Sequence, residues 1–204
     1  VHPALDILAE DFVTHGYDLR RLIRVIASSR VFRLDSSGDP SPGESDEQHW
    51  AVFPLTRLRP EQVAGSILQA ASISTINAQS HILLRLARAG QENEFVTRYG
   101  DFGEDEFDGR GGTIPQRLLL MNGKLVRERV TAEMMNSVGR IAWMAHEPNL
   151  AVETAYLATL SRRPTAEEAQ HFAAVLADPT QPRAQHLEDL FWALVNSAEF
   201  SWNH

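Results

Sequence analysis

No cysteine occurs among the 204 residues, which excludes disulfides, thiolate metal sites, c-type haem attachment and a cysteine nucleophile. Lysine is nearly as scarce: Lys124 is the single one, the other eighteen basic residues being arginine, so Schiff-base chemistry would have to use Lys124. Aromatic residues make up only 8%. The longest stretch free of Asp, Glu, Lys and Arg covers residues 62–84, but eleven of its twenty-three positions are polar or glycine, which excludes a lipid-facing helix. An excess of basic charge is also missing. Nineteen basic residues stand against twenty-seven acidic ones, a formal charge of -8, which argues against a general nucleic-acid binder or an anionic-membrane binder. The start carries no initiator Met and no basic-then-apolar leader, so the chain is expected to be a piece of a longer protein.

Present instead is the composition of a globular chain, 43% hydrophobic and 23% charged, with helical periodicity almost throughout. Leu5, Leu8, Ala9 and Phe12 share one face, and Leu19, Leu22, Ile23 and Ile26 share another after Asp18 as N-cap, so the pair reads as a helical hairpin. Residues 35–47 are nearly all Ser, Gly, Pro, Asp and Glu and read as an exposed loop. A helix follows Pro60, then a turn near residues 74–77, then a stripe of Ile82, Leu83 and Leu86 expected to end at Gly90. Residues 99–112 form a glycine-rich acidic segment without a period. Beyond it, Thr113 is expected to cap a helix with Pro115 in its first turn, and Asn122-Gly123 to break it through a left-handed turn. The stripe Val126, Val130, Met134, Val138, Ile141 predicts one helix running across Gly139. Further helices follow Pro148, the capping box Thr165–Glu168, and the stripe Leu187, Leu190, Phe191, Leu194. These features predict an all-α fold: an irregular bundle of roughly seven to nine helices arranged as hairpins, with two long loops at about 35–47 and 99–112. One domain over 1–204 is expected, with 99–112 as a possible subdivision.

Six ordered blocks carry a resemblance: His2-Pro3-Ala4-Leu5-Asp6 through Leu22-Ile23; Ser28-Ser29-Arg30-Val31-Phe32-Arg33; Arg57-Leu58-Arg59-Pro60-Glu61; Thr113-Ile114-Pro115-Gln116-Arg117 through Asn122; Leu160-Ser161-Arg162-Arg163-Pro164-Thr165 with Glu168; and Leu194-Val195-Asn196-Ser197-Ala198-Glu199-Phe200. Together they resemble the bacterial "domain of unknown function 1553" family over nearly the whole chain. The resemblance implies the C-terminal part of a large, exported, planctomycete-type protein, and it brings no activity and no catalytic residue. It also implies other domains of the parent chain as partners, a cytochrome-like domain among them in some members.

Candidate sites follow from the residues. Asp101, Glu104, Asp105, Glu106 and Asp108 put several hard oxygen ligands on a glycine-rich loop, which is calcium-like chemistry, yet their order departs from a known calcium loop. A solvated loop, or one paired with Arg110 and Arg117, is the simpler reading, and no metal site or cofactor is expected. The eight histidines form no His-x-His or His-x-x-x-His pair, and no nucleophile elbow or phosphate-cradling loop is present. Gln116 and Asn122 have a capping explanation; the functional alternative is a polar pocket with Asp105, Asp108 and Arg110. Trp192 and Trp202, in an aromatic-rich tail, are candidates for core packing or interdomain docking.

The expected function is therefore a non-catalytic helical accessory module of a larger exported protein. One alternative is a hydrolase or ligand-binding domain for an extracellular polymer, a carbohydrate, using the carboxylates of 101–108. Glycoside hydrolysis would need two of them on a rigid frame. The other is a docking domain for a haem-carrying, cytochrome-like domain.

Overall fold

Short polar side chains cap several helix starts, among them Asp18, Asn136, Thr165 and Ser197, and what each helix then buries decides the architecture. The computed structural model describes residues 3–34, 43, 45–46, 49, 51–53, 56–77, 79–99 and 114–203. The fold is all-α, as the periodicity predicts, with eleven helices among the described residues and one two-residue ladder. Contacts divide the chain into two units, Val1–Thr56 and Arg57–Asn203. The loop 99–112 expected to separate two halves falls largely outside the described residues, and the helices on either side of it belong to the same unit.

The first unit is a hairpin of α1 (Pro3–Thr14) and α2 (Leu19–Ser28), followed by a 3-10 turn at Val31–Arg33. Asp18 caps α2 by accepting from the Arg20 and Arg21 amides, which are orphan donors of a first helical turn. Gly16 and Tyr17 both adopt positive φ at the bend, and the Tyr17 amide donates to the Phe12 carbonyl at 2.9 Å. The Arg21 guanidinium grips the Asp11 carboxylate through Nε at 3.1 Å and Nη2 at 2.9 Å. Neither helix has a buried residue. Of the apolar stripes, Leu5, Leu19 and Ile23 are open, while Leu8, Phe12 and Leu22 are half-buried.

The second unit holds the core. Its helices are α3 (Pro60–Ala70), α4 (Ile82–Tyr99), α5 (Ile114–Asn122), α6 (Lys124–Val130), α7 (Ser137–Met144), α8 (Pro148–Leu160), α9 (Ala166–Ala177), α10 (Arg183–Val195) and α11 (Ala198–Ser201). The strands β1 (Thr56–Arg57) and β2 (Trp202–Asn203) form the ladder, next to which the Leu58 amide donates to the Ser201 carbonyl at 3.0 Å. Helix α10 is the hub, touching α6, α7, α8, α9 and α11, and it buries Leu187, Leu190, Phe191, Leu194 and Val195. Burying that stripe removes enough apolar surface to fix the helix, because each such side chain contributes roughly 1.5–3 kcal/mol. Val63 and Ile67 on α3 and Val152 and Tyr156 on α8 complete the same core.

Three local expectations are corrected. Helix α4 runs through Gly90 without a break, and a side chain there would meet open space. Gly90→Ala is accordingly expected to raise stability by about 0.5–1 kcal/mol, because alanine loses less backbone entropy in a helix interior; the midpoint of urea unfolding reads it. The stripe 126–141 is two helices rather than one, interrupted at 131–136, and Met134, expected in the core, lies 80% exposed. Asn122-Gly123 does break the chain between α5 and α6, but Gly123 sits at φ -66, not in the left-handed region. The Ile82, Leu83 and Leu86 stripe is also open, while Phe95 and Tyr99, beyond Gly90 on the same helix, are buried.

Candidate functional site

Gln116 lies in the first turn of α5 and is buried, and a buried amide requires partners. Its Oε1 accepts from Arg57 Nη1 at 2.9 Å, and Arg57 Nη2 donates to the Tyr99 hydroxyl at 2.7 Å. The same guanidinium stands 5.7 Å from the Tyr99 ring centroid, and that ring stacks on Phe95 at 5.0 Å. Arg57 thus joins β1, α4 and α5 through one planar fork, a task that suits arginine's fixed donor geometry.

A second arginine organises the other end of the unit. Ser161 closes α8 in the left-handed region at φ 57, and Arg162 follows directly. Its Nε and Nη2 donate to the two Glu199 oxygens at 2.6 and 2.8 Å, and its Nη1 and Nη2 to the two Glu168 oxygens at 2.8 and 2.9 Å. Glu168 also accepts from the Thr165 amide at 2.7 Å, completing the capping box that the sequence predicts. These hydrogen bonds, first among them the one from Arg162, hold the Glu168 carboxyl down at about 2. The guanidinium lies 5.2 Å from the ring of buried Tyr156, whose hydroxyl is pushed up to about 12 by burial and by the Glu168 charge. The arrangement clamps α8, α9 and α11 together. Both carboxylates are paired with the one guanidinium, which is thereby engaged on both sides.

Asn122 is exposed at the far end of α5. Six helical steps separate it from Gln116, about 9 Å of rise and 240° of rotation, so the two residues face different surroundings. Trp192 is 37% exposed and its indole Nε1 donates to the Met121 carbonyl at 3.0 Å. Trp202 is half-buried within β2. Asp105, Asp108 and Arg110 lie outside the described residues. Among the described residues no three His, Asp or Glu side chains converge as metal ligands, and buried His186 places Nε2 3.0 Å from the Asp178 carbonyl. No helix is long and apolar enough to cross a membrane among the described residues.

Of the concavities among the described residues, one lies on α9 beside His171 and Asp178, and two others bear on the site. A cleft of about 150 Å³ among α4, α5 and α6 is lined by Gln91, Phe95, Arg98 and Lys124, and its charges pair locally as Arg98–Glu94 at 3.0 Å and Lys124–Glu128 at 3.9 Å. A second, of about 330 Å³, is lined by Met134, Gly139, Arg140, Ala142, Trp143 and Ala184. Beside it Met135 and Met144 are exposed, and Trp143 is 73% exposed. Sequence periodicity does not find this patch, because it places Met134 on the buried stripe; the dipeptides Met134-Met135 and Trp143-Met144 were the available signal.

Residues 1–97 match the family model described as "Protein of unknown function (DUF1553)". This supports the resemblance read from the first three motif blocks, and the three later blocks lie beyond the matched residues. No curated protein and no solved structure matches the chain.

Proposed function

We propose that this chain, a DUF1553 sequence over residues 1–97, is a non-catalytic helical module of a larger exported protein. In this reading it uses the apolar surface around Trp143 to dock another domain of that protein. The observation that carries it is that Met134 and Trp143, both exposed, line a shallow, mainly apolar cleft, and that their chain neighbours Met135 and Met144 are exposed as well. Large contiguous apolar patches are uncommon on isolated soluble domains and mark contact surfaces, and methionine's soft, flexible side chain adapts to a partner. Elsewhere in the unit the polar motif residues are committed to internal clamps, Arg57 with Gln116 and Arg162 with Glu168 and Glu199. The exported setting rests on the family resemblance.

Amide hydrogen exchange at residues 131–145 is the test, run on this chain alone and on the longest natural polypeptide that contains it. Exchange there is expected to slow in the longer protein, and acrylamide quenching of Trp143 fluorescence, isolated by replacing the other three tryptophans with phenylalanine, is expected to fall. Equal exchange and equal quenching in the two would overturn the docking reading.

A further inference from the structure

The hairpin α1–α2 presents a surface organised differently from the Trp143 patch. On α1, Leu5, Ala9 and Val13 form a row at i, i+4 spacing, and on α2 Leu19 and Ile23 form another, continued by Ile26. Both rows are open: Leu19 is 62% and Ile23 65% exposed. The apolar positions that turn inward are others, Leu8 and Phe12 on α1 and Leu22 and Val25 on α2, each half-buried. The hairpin is held in shape independently of the open rows, by the Arg21–Asp11 fork, the Asp18 cap and the Phe12–Tyr17 edge contact at 5.4 Å.

Each open row is flanked one residue later by a charged row of a single sign. Asp6 and Glu10 run beside Leu5 and Ala9; Arg20 and Arg24 run beside Leu19 and Ile23. Because the flanking charge stands on the same rotational side of both helices, an antiparallel approach of α1 to an α2 helix from another molecule brings the acidic row against the basic row. Asp6 then faces Arg24 and Glu10 faces Arg20, while the apolar i, i+4 ridges interlock. The match is reciprocal, as a two-fold interface requires, since each molecule supplies one α1 and one α2.

We infer that the α1–α2 hairpin is a self-association surface, pairing with the same hairpin of a second copy as a four-helix bundle through the Leu5–Ala9–Val13 and Leu19–Ile23 rows. The size of the surface agrees with a reversible dimer. Two helices of twelve and ten residues, about 18 and 15 Å long, bury roughly 1,000–1,400 Å² in total when such a face is covered, at the lower edge of stable interfaces. Anionic lipid is the less suitable occupant, because residues 1–56 carry nine acidic residues against five arginines. This surface is separate from the one assigned to interdomain docking, so the two readings fail separately.

Sedimentation velocity of the whole chain, from about 1 to 200 μM, provides the test. A concentration-dependent monomer–dimer equilibrium is expected for the natural sequence. Ile23→Asp, at an exposed position, is expected to leave a monomer with unchanged helical circular dichroism. Arg20→Glu with Arg24→Glu is expected to weaken the dimer at least tenfold, and adding Asp6→Arg with Glu10→Arg to restore it, because the reversed rows again oppose each other. A natural sequence that stays monomeric at 200 μM overturns the inference, as does a fourfold variant that fails to recover. Co-sedimentation with phosphatidylserine vesicles without self-association assigns the surface to lipid and overturns it as well.

Discussion

Arg162→Ala is expected to destabilise the second unit by about 2–3 kcal/mol, read as a lower urea midpoint at pH 7 with an unchanged slope. The substitution removes five hydrogen bonds, one to the Arg163 carbonyl and four to the Glu168 and Glu199 carboxylates, and takes away the cation those two carboxylates share. Breaking a fully buried pair costs roughly 3–5 kcal/mol. Here each of the three side chains keeps about a third of its surface in solvent, 35% for Arg162, 30% for Glu168 and 27% for Glu199, and water screens the remaining charges. Arg162→Lys is expected to recover less than half of the loss, since one ammonium cannot serve two carboxylates in the bidentate way. The pH dependence has a definite sign. Glu168 is held at about 2, below its ordinary 4.5, so the folded state binds that proton more weakly than the unfolded chain does. Its contribution is fully present above pH 4.5 and is lost as the pH falls toward 2. The gap between the natural protein and Arg162→Ala should therefore be flat from pH 5 to 8 and close on acidification. At the alkaline end Tyr156 stays protonated to about 12 against 10 when free, so its contribution is complete below pH 10 and disappears as the pH rises through that interval.

The clamp also shows how far the sequence can be read. The capping box Thr165–Glu168 is a local pattern, and it occurs as predicted, because two side chains and two backbone amides within four residues contain all the physics involved. Asn122-Gly123 as a break is equally local. That Glu168 serves Arg162 as well, and that Arg162 also holds Glu199 thirty-seven positions away, belongs to tertiary packing, which no window of residues encodes. The same holds for Arg57 and Gln116, fifty-nine positions apart. All of these residues fall within the motif blocks that carry the family resemblance. Their reason is structural: the Arg57 and Gln116 blocks meet at one arginine fork, and the Arg162 and Glu199 blocks meet at another. Periodicity also found the apolar positions of α1, α2 and α4, but on the hairpin it merged an open row, with Leu5, Leu19 and Ile23, and a half-buried one, with Leu8, Phe12 and Leu22. It could not say what covers them, and in Leu5, Leu19, Ile23, Ile82 and Leu83 the answer within this chain is solvent. The candidate acidic loop, and with it the alternative of a polar pocket around Asp105 and Asp108, lies outside the described residues.

Gly139→Ala is expected to cost about 3 kcal/mol, against a helix propensity that by itself would favour alanine by roughly 1 kcal/mol. Gly139 lies in the first turn of α7, where its amide donates to Asn136 Oδ1 at 2.9 Å. The same oxygen accepts from the Glu133 amide at 3.2 Å, and Asn136 Nδ2 donates to the Thr131 carbonyl at 2.6 Å. One buried asparagine therefore folds 131–139 into a tight turn, and that turn is why the apolar stripe from Val126 to Ile141 is not a single helix. A Cβ on residue 139 would stand 2.0 Å from the Glu133 carbonyl oxygen and 2.5 Å from its carbon. Those atoms are backbone, so no rotamer change relieves the overlap, and the turn itself has to move. Movement is opposed from both sides: Ser137 donates through its amide and hydroxyl to the Ala71 and Ala70 carbonyls, closing the C-terminus of α3, and the Ala132 amide donates to Glu188 on α10 at 2.7 Å. Strain at residue 139 is thereby passed to α3 and to the hub helix, which places the loss on global unfolding rather than on local fraying. Amide exchange separates the two outcomes: protection in α3 and α10 should fall together with protection in α7. Asn136→Ala, which leaves the backbone space free but removes the staple, should reproduce the loss of the turn in α7 at about half the total cost, because it takes away hydrogen bonds without creating an overlap.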